Sequence, residues 1–211
     1  MAEYTLYCFA QSGNAYKPAL MLELAGADWS PRHVDYFHGE TRTPAYRAIN
    51  VMGEVPVLEH DGRRLSQSGV IMDYLGERYP QFGARDGDER RELLRWLLFD
   101  NHKLTSYTAT YRFMRTFVKD PNRDVLLEFR KRAETAWGIL DAHLTGRRFV
   151  VNERLTYADL SLCGYLFFDD EIGVDWSAYP NVRDWLARLR AQPRWRHPYE
   201  LMPGHPLPAT A

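Results

Sequence analysis

Three short segments hold the residues whose types and spacing could do chemistry. Ser12-Gly13-Asn14 lies between a short aromatic, β-branched run and a helical pattern, so a hydroxyl, a flexible residue and an amide meet at a helix start. Donors of that kind stabilise a thiolate or an oxyanion. Ser, Gly and Asn are also what any tight strand-to-helix connection uses. Val55-Pro56 follows a turn at Gly53, at the mouth of a strand. A proline there donates nothing to a sheet and belongs at an edge or a strand start. With a cis bond, Val55 would turn its N–H and C=O outward, where an extended peptide could pair with both; spacing alone favours the commoner trans bond. Gln67-Ser68 opens a further helix. Unpaired helix-start amides plus a serine hydroxyl make a carboxylate site, and a plain capping serine is the alternative.

The elements that must position these residues follow from periodicity. Residues 4–9 read as a strand. The next stretch places Leu20, Met21 and Leu24 on one face of a helix that begins near Asn14 and stops at Gly26, with Pro18 tolerable only near its start. A second strand is expected over 33–37 and a short helix opened by Pro44. A hairpin should join 55–59 to 63–66 around His60-Asp61-Gly62, followed by a helix over 69–78. The order β-α-β-α-β-β-α fills residues 1–80. Pro80 ends it, and 81–88 is a polar, glycine-containing linker. From 89 to 211 the pattern is helical. One helix is expected over 89–117 and another over 124–144. A third opens at Thr156, with Asp159 completing a capping box, and a fourth opens at Pro180 and ends at Gln192-Pro193. The tail reads as irregular.

The whole chain bounds the partners. Its 211 residues are 45% hydrophobic and 26% charged, which fits a globular fold and excludes a disordered one. Lys plus Arg (27) nearly cancels Asp plus Glu (28), so no positive field favours nucleic acid or anionic lipid. The longest apolar stretch, 160–168, is too short to span a bilayer. The start lacks a secretory pattern, and two cysteines make no disulfide framework, which together predict a cytoplasmic protein. Seven histidines show no paired-ligand spacing, so no metal site is expected.

In order and spacing, YCFAQSGNAYKPALMLELAG, NVMGEVPVLEHDGRRLSQSGVIMDYL and RLTYADLSLCGYL resemble the glutathione transferase family over nearly the whole chain. The resemblance implies a thioredoxin-like α/β domain over 1–80 followed by an all-α domain over 89–211. It implies glutathione as co-substrate. The Val55 main chain would pair with the cysteinyl segment, with Pro56 holding the geometry and Gln67 and Ser68 binding the γ-glutamyl carboxylate. Ser12 would donate to the sulfur, with Asn14 as a second or competing donor, and Asp100 would reach the α-amino group. His102, Tyr107, Tyr111 and Phe113 would line an electrophile pocket; singly, each also fits as core packing. The sequence departs from many relatives at Glu54, where they carry Lys or Gln, so another cation, such as Lys17 or Arg42, would have to meet the glycyl carboxylate, or glutathione would bind weakly. Tyr7 falls one residue out of register for a catalytic tyrosine, and Cys8 reads as a small buried residue. The expected activity is attack of glutathione thiolate on a small hydrophobic electrophile, in a homodimeric, cytoplasmic detoxification enzyme. Glutathione-dependent disulfide or peroxide reduction is the second expectation. The third is a binding or regulatory protein that keeps the fold without catalysis, a reading that Glu54 encourages.

Overall fold

Tyr4–Cys8 (β1) is the spine of a four-stranded sheet ordered β2-β1-β3-β4, with β2 at Trp29–His33, β3 at Val57–His60 and β4 at Arg63–Ser66. β1 runs parallel to β2 and antiparallel to β3, and β4 returns antiparallel to β3. The computed structural model describes residues 2–207. β2 lies four residues earlier than the strand expected over 33–37. Its Pro31 argues against a central strand, but β2 is the sheet edge, where a residue that cannot donate is tolerated. Past β2 the chain leaves the sheet, and Tyr36 and Phe37 pack around Phe9, with ring centroids 4.8 and 6.0 Å away.

Three helices complete this layer: α1 at Gly13–Ala25, α2 at Pro44–Arg47 and α3 at Ser68–Arg78. α1 ends where Gly26 takes the left-handed conformation (φ 68°), which the sequence predicts from its glycine. Tyr7, Val34, Tyr46 and Val57 form a buried cluster with Ile49 and Val55 beside it, which packs α2 on one face of the sheet. Strand alternation turns Leu6 and Cys8 to the opposite face, and both are fully buried.

The helices that follow are α4 at Gly87–Phe99, α5 at Thr105–Phe117, α6 at Arg123–His143, α7 at Tyr157–Leu162, α8 at Asp169–Ile172 and α9 at Pro180–Arg190. The continuous helix expected over 89–117 is interrupted by a π turn at Asp100–Leu104, whose wide ring closes from the Thr105 N–H to the Asp100 carbonyl. The predicted capping box at α7 is present. The buried Asp159 carboxylate accepts from the Thr156 N–H and hydroxyl, both at 2.9 Å, from the Val150 N–H at 2.9 Å and from Trp185 Nε1 at 3.0 Å. Burial raises this carboxyl's pKa, and the four donors oppose that rise.

The chain divides into two compact units, one running to Tyr79 and resuming at Gln192, the other Pro80–Ala191. The helical domain is expected over 89–211; among the described residues, 192–207 group instead with the amino-terminal unit. Within that segment Pro198–Leu201 forms a short helix, α10, just before the tail at 202–211 that is expected to be irregular; residues 203–207 lie outside any helix or strand, and 208–211 are outside the described residues.

Candidate active site

Strand register brings the three candidate segments to one end of the sheet. Tyr7 of β1 pairs with Val57 of β3, and Val57 pairs with Ser66 of β4. The end of β1, the start of β3 and the end of β4 are therefore neighbours. The loop after β1 carries Ser12, the residues before β3 are Val55-Pro56, and β4 feeds Gln67-Ser68 at the start of α3.

Ser12 is the N-cap of α1. Its Oγ accepts the Ala15 N–H at 3.2 Å, which satisfies one orphan amide and leaves the hydroxyl proton to donate elsewhere. Only 5% of Ser12 is exposed. Asn14 follows two residues later, and its Oδ1 is buried without a hydrogen-bond partner among the described residues. Pro18, inside α1, has no N–H to give the Asn14 carbonyl, so that stretch of helix is short of donors.

The Val55–Pro56 bond is cis, the geometry the resemblance implies and spacing alone did not favour. Neither the N–H nor the C=O of Val55 makes a backbone hydrogen bond among the described residues. The preceding carbonyl, that of Glu54, is held by the Tyr46 hydroxyl at 3.0 Å and by Asn50 Nδ2 at 2.9 Å. These two supports were not read from the sequence, because a tyrosine and an asparagine on a short helix and its exit carry no local signal. Burial raises the Tyr46 pKa, so its hydroxyl stays protonated as a donor.

Gln67 stands in the left-handed region (φ 68°, ψ 117°), a conformation that costs a non-glycine residue of order 1–3 kcal/mol. Its amide Nε2 donates to the Glu54 carboxylate at 3.1 Å and lies 3.0 Å from Met52 Sδ. Glu54 therefore does not project alone into solvent; it turns onto Gln67. Ser68 is the first residue of α3, nearly buried at 6% exposure, and its hydroxyl makes no hydrogen bond among the described residues.

Other expectations are corrected. Lys17 is completely buried in α1, so it is not an exposed cation for a glycyl carboxylate. Arg42, on a 3-10 turn at Glu40–Arg42, is exposed and has no ion-pair partner among the described residues, which leaves it as the cation of the two. Asp100 is also completely buried; the Thr105 and Ser161 hydroxyls donate to its two oxygens at 2.6 Å each. It supports the π turn and presents nothing to an amino group. Tyr7 donates its hydroxyl to Glu59 at 3.0 Å and accepts from Arg32 at 2.9 Å, which removes it as a thiol donor. Burial pushes the Cys8 thiol up to about 12, as expected of a packed residue.

The four residues expected to line an electrophile pocket do not share one surface. Tyr107 and Tyr111, four apart on α5, lie on the same helical face. Tyr107 packs near Phe129 and Arg132 of α6, and Tyr111 is buried. Phe113 points elsewhere on α5, 42% exposed beside Phe117, and His102 is exposed on the π turn. Among the described residues no group of three or more His, Cys, Asp or Glu side chains is placed to hold a metal, and no helix is long and apolar enough to cross a membrane.

Residues 6–84 match the glutathione S-transferase N-terminal domain and residues 102–193 the glutathione S-transferase C-terminal domain. The chain belongs to the glutathione S-transferase family. A glutathione S-transferase from Pseudomonas fluorescens is 32% identical, with a TM-score of 0.88 over 92% of this chain and 98% of that one. A second, from Xanthobacter autotrophicus, is 28% identical, with a TM-score of 0.85 over 92% and 95%. Ure2p in complex with glutathione shares the fold, at 22% identity and a TM-score of 0.85 over 92% of this chain and 96% of that one. Elongation factor 1-gamma-A of Xenopus laevis is 26% identical over 205 residues, 93% of this chain and 46% of that protein. The chain thus spans less than half the length of the curated relatives it matches.

Proposed function

We propose that the protein binds glutathione and transfers it to small hydrophobic electrophiles. The reading rests on one observation: Ser12, the unpaired Val55 main chain and the Ser68 helix start stand together at one end of the sheet. An extended tripeptide pairs its cysteinyl N–H and C=O with Val55. Its γ-glutamyl carboxylate lies on the first amides of α3 and on the Ser68 hydroxyl, where the helix dipole favours an anion. Arg42 meets the glycyl end. These contacts bring the sulfur to the Ser12 hydroxyl.

A free thiol titrates near about 8.5, so only a small fraction is ionised at neutral pH. A hydroxyl hydrogen bond to the charged sulfur, worth about 1.5 kcal/mol, lowers that value by roughly one unit. The thiol proton passes to solvent. The thiolate then forms the S–C bond as the electrophile's leaving group departs with its electron pair, or as a double bond opens. No covalent enzyme intermediate is required. Holding the electrophile beside the sulfur supplies the remaining acceleration. The working assembly is a homodimer in the cytoplasm, with detoxification as its role.

Calorimetric titration with glutathione, followed by pH titration of the bound thiolate's absorbance, tests this. Wild type should bind saturably with a depressed thiol pKa. Ser12→Ala should keep most of the affinity while the pKa rises by roughly one unit and turnover at neutral pH falls about tenfold. Absence of binding at millimolar glutathione overturns the reading. An unchanged thiolate signal in Ser12→Ala moves the donor role to Asn14. The Glu54–Gln67 hydrogen bond favours a second reading, a binding protein without turnover, because it occupies an amide the tripeptide would use. Glutathione binding with no product from either a chloronitroarene or a mixed disulfide would select it. Turnover of the disulfide alone would select reduction.

A further inference from the structure

The chain's closing segment returns to the loop that carries Ser12. After Gln192 it turns along α1, where the Tyr16 hydroxyl donates to the Arg196 carbonyl at 2.8 Å. α10 follows, with His197 Nδ1 accepting the Tyr199 N–H at 3.3 Å and Leu201 and Met202 buried. Beyond α10 the main chain meets the loop directly. The Ala10 N–H donates to the Pro203 carbonyl at 2.7 Å, and Gln11 Nε2 donates to the Gly204 carbonyl at 2.8 Å. Ala10 is completely buried and Gln11 nearly so. Without the strap, a buried amide two residues before Ser12 would lose its partner.

Two features fix the strap in this path. Gly204 has φ +95°, and a Cβ there would lie 2.7 Å from His33 Nε2, so a side chain meets both backbone strain and a close neighbour. The His205 ring stacks on Tyr199 with centroids 3.7 Å apart and planes within 6°, which folds the end of the strap back onto α10. Within the loop, the Ser12 N–H donates to the Phe9 carbonyl at 3.0 Å.

We propose that Pro203 and Gly204 form a positioning strap for the Ser12 loop. By holding Ala10 and Gln11, they fix where the Ser12 hydroxyl points and thereby set how strongly it ionises the bound thiol. This rests on the transferase reading and adds an element to it that is some 190 residues away in sequence, as the separation of Gln11 and Gly204 (193) shows. The strap residues touch no substrate; they act through the loop.

Two variants test it: a chain ending at Met202, which keeps α10, and the full-length Gly204→Ala. Amide hydrogen exchange reads the strap without any ligand. The Ala10 amide should be protected in the full chain and exchange at least about tenfold faster in both variants, while amides within β3 keep their protection. The bound-thiol pKa reads the consequence. It should rise by about half a unit to one unit, with turnover at neutral pH falling about three- to tenfold, while glutathione affinity changes less than twofold. If the tail were merely stabilising, both variants would lower the unfolding midpoint and leave that pKa in place. Equal exchange at Ala10 in all three chains overturns the proposal, as does faster exchange with an unmoved thiol pKa. If the full chain binds no glutathione, the transferase reading fails on its own, and exchange at the Ala10 and Ser12 amides still decides whether the strap holds the loop.

Discussion

On the proposed reading, Glu54 is the side chain on which glutathione affinity turns. Its carboxylate accepts from Gln67 and stands beside the Val55 edge where an anionic tripeptide would lie. Two like charges at a protein surface repel by a few kcal/mol at close range before screening. Removing one should be visible in binding. Glu54→Gln is expected to tighten glutathione binding about three- to tenfold, with a smaller gain at high salt, as read by calorimetry at two ionic strengths. An unchanged dissociation constant would place Glu54 outside the ligand's field. At this scale the sequence was informative where chemistry is local. Ser12, Pro56 and Ser68 stand at turns and helix starts that their own types create. Lys17 and Asp100 misled because their burial depends on which helical face meets the core, and each lies fully inside. A charged residue in one sequence gives no sign of that packing.

Among the elements, α7 carries a dense set of polar bonds in a fully buried place. Asp159 accepts four hydrogen bonds, from the cap of its own helix, from the segment at Val150 and from the indole of α9. Truncation leaves several buried donors without a partner, each costing about 1–3 kcal/mol. Asp159→Ala should therefore lower stability by about 3 kcal/mol or more in urea unfolding, whereas Asp159→Asn, which keeps one carbonyl acceptor, should lose less. Equal midpoints for Asp159→Ala and wild type would contradict this account. The cap at α7 was legible because its residues are three apart. The extent of β2 was not, because Pro31 is admissible only once the strand is known to be an edge. The π turn at Asp100–Leu104 was equally hidden. Its first residue, Asp100, accepts from the Ser161 hydroxyl, sixty-one positions along the chain, a contact that helical periodicity does not register. The return of the tail to Ala10 depends on main-chain carbonyls, to which side-chain patterns are blind.

For the molecule as a whole, acid stability is expected to be set in the helical unit. The nearly buried Glu89 carboxylate is penalised by burial, yet the Asn152 amide at 3.0 Å, the Arg85 N–H and Arg154 at 2.7 Å outweigh that penalty and hold its pKa below the ordinary 4.5. A carboxylate depressed in the folded state stabilises it above the unfolded value, and the contribution is lost as pH falls through the folded one. Thermal unfolding between neutral pH and pH about 3 should therefore show a steep acid limb. Glu89→Gln should lower the midpoint at neutral pH and flatten that limb. Parallel curves for the two proteins would assign the acid transition elsewhere. Both cysteines bear on the proposed chemistry from the opposite direction. Cys8 in one unit and Cys163 in the other are completely sealed, and burial keeps the Cys8 thiol protonated far above physiological pH. A catalyst that gathers alkylating agents next to an ionised sulfur invites damage to its own nucleophiles. On the proposed reading, the borrowed sulfur of the co-substrate would be the accessible one, and the scaffold would be spared the reaction it promotes.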